Sequence, residues 1–131
     1  MVKHRILYQT IFLLIISIML AGCRSDNGDA TIAIEAYIQA LSDRDTNKVS
    51  NLSCADWEQN ALVEADSFTS VGSSVENLAC SENSNEGSER IISCTGTLVL
   101  DYNGEAQQID LSKRTYIARL EDGEWRMCGY R

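Results

Sequence analysis

The chain has 131 residues, 44% of them hydrophobic and 23% charged, which is enough for one folded domain and too few for two of ordinary size. Eleven Lys and Arg against nineteen Asp and Glu give a formal charge of −8. That balance argues against nucleic acid as a partner, since phosphate binding requires a clustered basic surface, and it opposes electrostatic docking on anionic lipid.

The chain opens with a basic start, Lys3, His4 and Arg5, followed by an apolar run from Ile6 to Leu20 interrupted only by Gln9 and Thr10. This run is near the upper length of the apolar region of a secretory leader and short of the roughly 18–20 residues that span a bilayer as a helix. It ends in Leu20-Ala21-Gly22-Cys23, which resembles the bacterial lipobox: a branched apolar residue and two small ones before a Cys. The resemblance implies that residues 1–22 are a lipoprotein signal peptide. It further implies that Cys23 carries a diacylglyceryl thioether at the new amino terminus, with 23–29 as a polar tether. Two or more acyl chains, at about 0.8 kcal/mol per buried methylene, make such an anchor essentially permanent. The expected location is therefore the extracytoplasmic face of a cell membrane, with no helix crossing it.

Removing the leader leaves 109 residues with nine basic side chains against nineteen acidic ones, a charge of about −10. It also removes His4, the one histidine of the chain. His-dependent catalytic triads and His-ligated metal sites are thereby excluded from the mature chain.

Four cysteines follow Cys23: Cys54, Cys80, Cys94 and Cys128. An even count in a small exported domain reads as two disulfides. The spacings of 26, 14 and 34 residues contain no CxxC pair and match no usual zinc pattern. Nor does any of the four sit beside a cationic cluster that would activate its thiol. Three pairings are open from sequence alone. Cys80 and Cys94 flank a polar stretch, so a bridge across a hairpin is the simplest local solution, and Cys54 then pairs with Cys128.

From Ala30 the pattern is helical, with Ile34, Tyr37, Ile38 and Leu41 at i, i+3, i+4 and i+7. Asp29 or Thr31 can cap its start. The stretch Ser42–Asp45 breaks the run, and Asp45 can cap a second short helix carrying Val49 and Leu52. A third helix is expected over Ala55–Phe68, with Trp57, Ala61, Leu62, Ala65 and Phe68 inward. After the small polar stretch Ser67–Ser74 the period shifts toward two. Val75–Cys80 reads as a first strand and Ser81–Glu89 as a mobile, hydrated loop. In Arg90–Tyr102, the residues Ile92, Cys94, Leu98, Leu100 and Tyr102 share a face. Asn103-Gly104 is a strong hairpin signal. A third strand within Glu105–Leu120, bent near Ser112, a turn at Glu121–Glu124 and a last strand Trp125–Tyr130 complete the chain.

Helices followed by about four antiparallel strands give an α+β fold, the helices covering one face of a curved sheet. The first helix, the Ser42–Thr46 break and the ending Glu121-Asp122-Gly123-Glu124-Trp125-Arg126-Met127-Cys128-Gly129 together resemble the NTF2-like (cystatin-like) superfamily over residues 30–131. That resemblance implies a cone with a pocket between sheet and helices. Enzymes of the ketosteroid isomerase type in that superfamily use a carboxylate base and a Tyr hydroxyl. Tyr37, Tyr102, Tyr116 and Tyr130 are available here, but nothing in the sequence sets a carboxylate beside one of them, so no catalytic residue is assigned.

Trp57 and Trp125 read as core residues or pocket walls, and Asp43, Asp45 and Asp56 as capping and solvated groups without the spacing of a cation loop. Glu82, Glu86 and Glu89 belong to the polar loop. No Gly-rich phosphate loop and no GxSxG occurs, and nothing implies a cofactor or a metal. The expectation is a membrane-tethered binding or interaction module whose partner is a small apolar ligand or an envelope protein. The alternative is a small isomerase or hydrolase using a buried carboxylate and a Tyr.

Overall fold

The computed structural model describes residues 29–131; the leader, Cys23 and all of the tether except Asp29 lie outside the described residues. Three helices precede five strands: α1 (Ala30–Ser42), α2 (Thr46–Asn51), α3 (Glu58–Phe68), β1 (Gly72–Glu86), β2 (Glu89–Tyr102), β3 (Glu105–Asp110), β4 (Thr115–Glu121) and β5 (Glu124–Tyr130). The architecture is α+β, with the helices packed on an open antiparallel sheet of order β1-β2-β4-β5 and with β3 also beside β2. Among the described residues no helix is long and apolar enough to cross a membrane.

The two early helices start where side-chain oxygens can meet free backbone donors. Asp29 accepts from the Thr31 N–H at 2.9 Å, and Asp45 from the Lys48 N–H at 3.0 Å. The expected stripe of α1 is its buried face: Ile34, Tyr37, Ile38 and Leu41 all lie in the core. Arg44 takes a left-handed φ of 60° between the two helices. Helix α3 is shorter than Ala55–Phe68. Its first residues form a turn in which the Cys54 carbonyl accepts from both Trp57 and Glu58 at 3.0 Å, and Trp57, at the cap position, offers no capping oxygen. Ala61, Ala65 and Phe68 are buried, while Leu62 is only half-buried.

The sheet differs from its expected outline in three places. Ser81–Glu86 is not a loop but the outer half of β1, paired with β2 through Glu82↔Ile92, Ser84↔Ile91, Asn85↔Arg90 and Glu86↔Glu89. Backbone pairing sustains that ribbon although its side chains are polar on both faces. The bent strand within Glu105–Leu120 is resolved into β3 and β4, parted by a 3-10 turn at Leu111–Lys113. The two run back along β2 in succession, β3 against Thr97–Tyr102 and β4 against Glu89–Ser93. Tyr102, expected inward, is 42% exposed because β2 runs past the core before its turn. That turn, Asn103-Gly104, has positive φ at both residues, 58° and 93°, as a two-residue hairpin needs.

Two irregularities shape the sheet. Between Glu76 and Ala79 the β1 register slips opposite Gly96, whose φ is 115°; a Cβ there would lie 2.7 Å from the Glu76 carbonyl oxygen and 2.8 Å from that of Asn77. In the β4–β5 pair, Tyr116 faces Tyr130 and Ala118 faces Met127, so β5 carries one extra residue. That bulge, around Gly129 at φ 135°, changes the alternation of β5 so that Met127 and Tyr130 both pack on the core.

The edge of β5 is closed by the segment that leads into α3. The Cys54 N–H donates to the Met127 carbonyl and the Met127 N–H to the Leu52 carbonyl, each at 2.8 Å. Cys54 is bonded to Cys128, and Cys80 to its directly opposite residue Cys94. At the opposite edge of the sheet, Glu35 of α1 accepts the Cys80 N–H of β1 at 2.8 Å. With sequence separations of 74 and 14, the bridges stabilise by about 4.5 and about 3 kcal/mol in the chain-entropy model.

Gly96→Ala would set a methyl group against two backbone carbonyls at a φ that side chains avoid. It should lower stability by about 2 kcal/mol, or roughly 10 °C in melting temperature. An unchanged thermal midpoint would contradict the close approach of β1 and β2 at that bulge.

Candidate functional site

The described residues gather one set of polar side chains between helices and sheet. Helix α3 supplies Glu64, and its buried stripe explains why a carboxylate stands there. Ala61, Ala65 and Phe68 occupy positions i, i+4 and i+7 of that stripe, and Glu64 fills i+3. The alanines on either side are small, which leaves room for large rings from α1 and the sheet. Tyr37, on the buried face of α1, donates to Glu64 Oε2 at 2.8 Å, and Tyr130 of β5 lies 2.7 Å from each carboxylate oxygen. The Glu64 side chain is 18% exposed.

Arg114, just before β4, completes the group. Its Nη2 is 3.8 Å from Glu64 Oε1, an ion pair longer than a hydrogen bond. Its guanidinium lies 4.0 Å from the centre of the Tyr130 ring and 5.8 Å from that of Tyr116. The rings meet edge to face: Trp57 and Tyr130 with centroids 5.5 Å apart, Tyr116 and Tyr130 5.3 Å apart. Gly129 lies against the indole of Trp57, where a Cβ would stand in ordinary contact, 3.6 Å from its six-membered ring.

The electrostatics follow from burial beside one negative charge. Burial first, and the Glu64 carboxylate second, raise the pKa of both Tyr37 and Tyr130 well above the phenol range. Burial also raises Tyr116, with the neighbouring Arg114 charge opposing it. At Arg114 burial works to lower the pKa, but Tyr130, Tyr116 and Glu64 outweigh it and the net shift is upward. All three phenols are therefore neutral donors at physiological pH, and the guanidinium is charged. One cation faces one anion, and the carboxylate accepts from two phenols.

The Trp57 indole N–H and the Tyr116 hydroxyl are buried and make no hydrogen bond of ordinary geometry among the described residues, though the indole faces the Tyr37 hydroxyl and the Tyr116 hydroxyl faces the Arg114 guanidinium. An unmet buried polar group costs about 1–3 kcal/mol. A third such atom, Arg126 Nε, lies elsewhere, on a guanidinium whose other nitrogens bond the Asn51 carbonyl and Glu124.

The remaining candidates disperse. Trp125 lies under the Arg90 guanidinium, 5.0 Å from its ring centre. Asp45 caps α2, Asp43 accepts from Gln39 and Asp56 pairs with Arg119 at 2.8 Å. The three carboxylates of the outer ribbon are ion-paired, Glu82 with Arg90, Glu86 with Arg131 and Glu89 with Arg119. Exposed pairs of this kind contribute about 0–1 kcal/mol each. No group of three or more potential metal-ligating side chains occurs among the described residues. Sequence reasoning singled out the tyrosines and Trp57 but missed Glu64 and Arg114. The available signal was the carboxylate interrupting the stripe Ala61–Phe68.

No family model matches this chain, and no curated protein matches it. Solved structures resemble its fold at 12% identity. The helical cell shape determining protein Pgp2 from Campylobacter jejuni has a TM-score of 0.50 over 76% of this chain and 38% of its own. A SEC-C motif containing protein from Rhodopseudomonas palustris has a TM-score of 0.51 over 76% of this chain and 74% of its own. This chain thus spans well under half the length of the Pgp2 chain.

The raised phenols make a directional prediction. Above a pH of about 10 the unfolded chain releases phenolic protons that the folded chain retains, so stability falls as pH rises from there and is unaffected by these groups below it. Each fully buried phenol, Tyr37 and Tyr116, steepens that fall by up to about 1.4 kcal/mol per pH unit. Ultraviolet titration of the phenolate band should show Tyr37, Tyr116 and Tyr130 ionising late, together with unfolding. Ionisation of all tyrosines in one ordinary step in the folded protein would refute the buried cluster.

Proposed function

We propose that this chain is a lipid-anchored, extracytoplasmic binding module with an NTF2-like domain, held at the membrane through Cys23. Three features support the reading. The leader and the Leu20–Cys23 sequence match the chemistry of lipid attachment. All four later cysteines are paired, as an oxidising compartment favours. The third concerns the role and carries most weight: Glu64, the one carboxylate drawn into the aromatic group, accepts hydrogen bonds from Tyr37 and Tyr130 on its oxygens.

That arrangement supports binding over catalysis. A carboxylate base must be free to take a proton from a substrate while a phenol donates to the developing oxyanion. Here the phenols donate to the carboxylate itself, so base and donor satisfy each other. The second reading, an isomerase- or hydrolase-type enzyme, draws on the same adjacency of Glu64 to two tyrosines. It requires a ligand that parts Tyr130 from Glu64.

The anchor is tested by metabolic labelling with an alkyne-bearing fatty acid. Wild type should incorporate the label and Cys23→Ala should not, the variant appearing instead with its leader uncut. Equal labelling of both, or of neither, would remove the lipoprotein reading.

A further inference from the structure

Strand β3 leaves one edge of its backbone open. Among the described residues it pairs with β2 alone, without a register slip, and all six of its residues are exposed. The other two edge strands carry contacts of their own. The Leu52–Cys54 segment holds β5, Glu35 takes the Cys80 N–H of β1, and the outer carboxylates Glu82 and Glu86 of β1 are ion-paired. No proline, lysine or bulge blunts β3 against a further strand.

The two-residue turn at Asn103-Gly104 sets which backbone groups face outward. Tyr102 and Glu105 flank it as a hydrogen-bonded pair, and Leu100 and Gln107 form the next such pair along the ladder. Ala106 and Gln108 therefore turn their N–H and C=O away from β2. Side chains divide by face. On the helix side, with Leu98 and Leu100, lie Tyr102, Glu105, Gln107 and Ile109, of which Tyr102 and Ile109 are 42% and 37% exposed. Asp101, Ala106, Gln108 and Asp110 share the opposite side. Lys113 is 3.9 Å from Asp110, an exposed pair that a second cation can displace.

We propose that β3 is a docking edge for an extended segment of an envelope protein, one that alternates basic and apolar residues and adds to the sheet as a further strand. Backbone bonds to Ala106 and Gln108 hold the segment. Its apolar side chains lie on the face of Tyr102 and Ile109, and its cations on the face of Asp101 and Asp110. Charge selects this occupant over a second copy of the chain, which would set Asp101, Glu105 and Asp110 against their like at a net charge of −8 per copy.

The tether leaves this edge accessible. Ser73 of β1 donates to the Ser42 carbonyl at 2.7 Å and Cys80 to Glu35, so α1 runs antiparallel to β1 and starts toward its outer half. Strand β3 lies at the other end, beside the part of β2 that meets Gly72–Glu76. Cys23 is six residues before Asp29, a reach of at most about 20 Å. A lipid there keeps the start of α1 near the membrane and turns β3 away from it. The proposal names the partner of the binding-module reading and rests on that reading.

The probe is a heptapeptide of alternating Lys and Val, acetylated and amidated at its ends. The full chain in detergent is titrated with it while backbone amides are followed by NMR. Ala106 and Gln108 should shift saturably, with Kd on the order of 100 micromolar, and the outer half of β1 should not move. A peptide of Glu and Val should bind roughly tenfold or more weakly. The Lys and Val peptide with alternate amides N-methylated, which cannot pair, should not bind. Gln108→Pro deletes an outward N–H, leaves the ladder to β2 intact and should abolish binding. Asp101→Asn, which keeps the oxygen that accepts the Gly104 N–H, should weaken binding roughly two- to fivefold.

No shift at β3, equal binding of the N-methylated or the acidic peptide, or self-association of the chain through β3 would each overturn the proposal. A chain that carries lipid at Cys23 yet ignores the peptide loses this inference and keeps the anchored module. A chain that takes the peptide without carrying lipid loses the anchor and keeps the edge.

Discussion

The attachment of the Leu52–Cys54 segment to the edge of β5 is the constraint on which the arrangement of this domain depends. Two backbone hydrogen bonds and the Cys54–Cys128 bridge fix the point where α3 begins. The Cys54 carbonyl then receives the first N–H groups of the α3 turn. The start of the helix is thus defined by the sheet rather than by a capping side chain. Trp57 is set over Gly129, and two turns further along the helix Glu64 arrives at the hydroxyl of Tyr130. The same contact closes a strand edge that would otherwise offer unpaired backbone to other chains.

The bulge in β5 is the second half of that geometry. Regular alternation from Met127 would send Tyr130 to the opposite face of the sheet. The extra residue at Gly129 returns Tyr130 to the helix side, where Tyr37, Glu64 and Arg114 meet it. A single residue in excess thus joins the core to the polar group. The small side chains of Ala61 and Ala65 make room for the rings, and the neutral phenols spread the charge of Glu64 without cancelling it.

Much of this was legible in the sequence, and the parts that were not share a cause. Helix α1 was readable because its period, its cap Asp29 and the break at Asp43–Arg44 all agree. The turn at Asn103-Gly104 was readable because positive φ at two successive residues favours that pair, and the Cys80–Cys94 bridge because a hairpin brings the two together locally. The outer ribbon Ser81–Glu86 was hidden, since a strand with both faces solvated carries no alternation. The bulge at Gly129 was hidden because one extra residue disturbs the period over too short a stretch. Glu64 was passed over because an acidic residue within a helical stripe reads as surface until the tyrosines that surround it, 27 and 66 residues away, are brought to it.

Amide hydrogen exchange at Cys54 and Met127 tests the role of the β5 attachment most directly. In the oxidised protein both amides should exchange as slowly as the most protected amides of the core, opening only with global unfolding. Reduction should speed both, and with them the amides at the start of α3. Exchange at Cys54 and Met127 as rapid as along the exposed strand β3, with both bridges intact, would contradict the account.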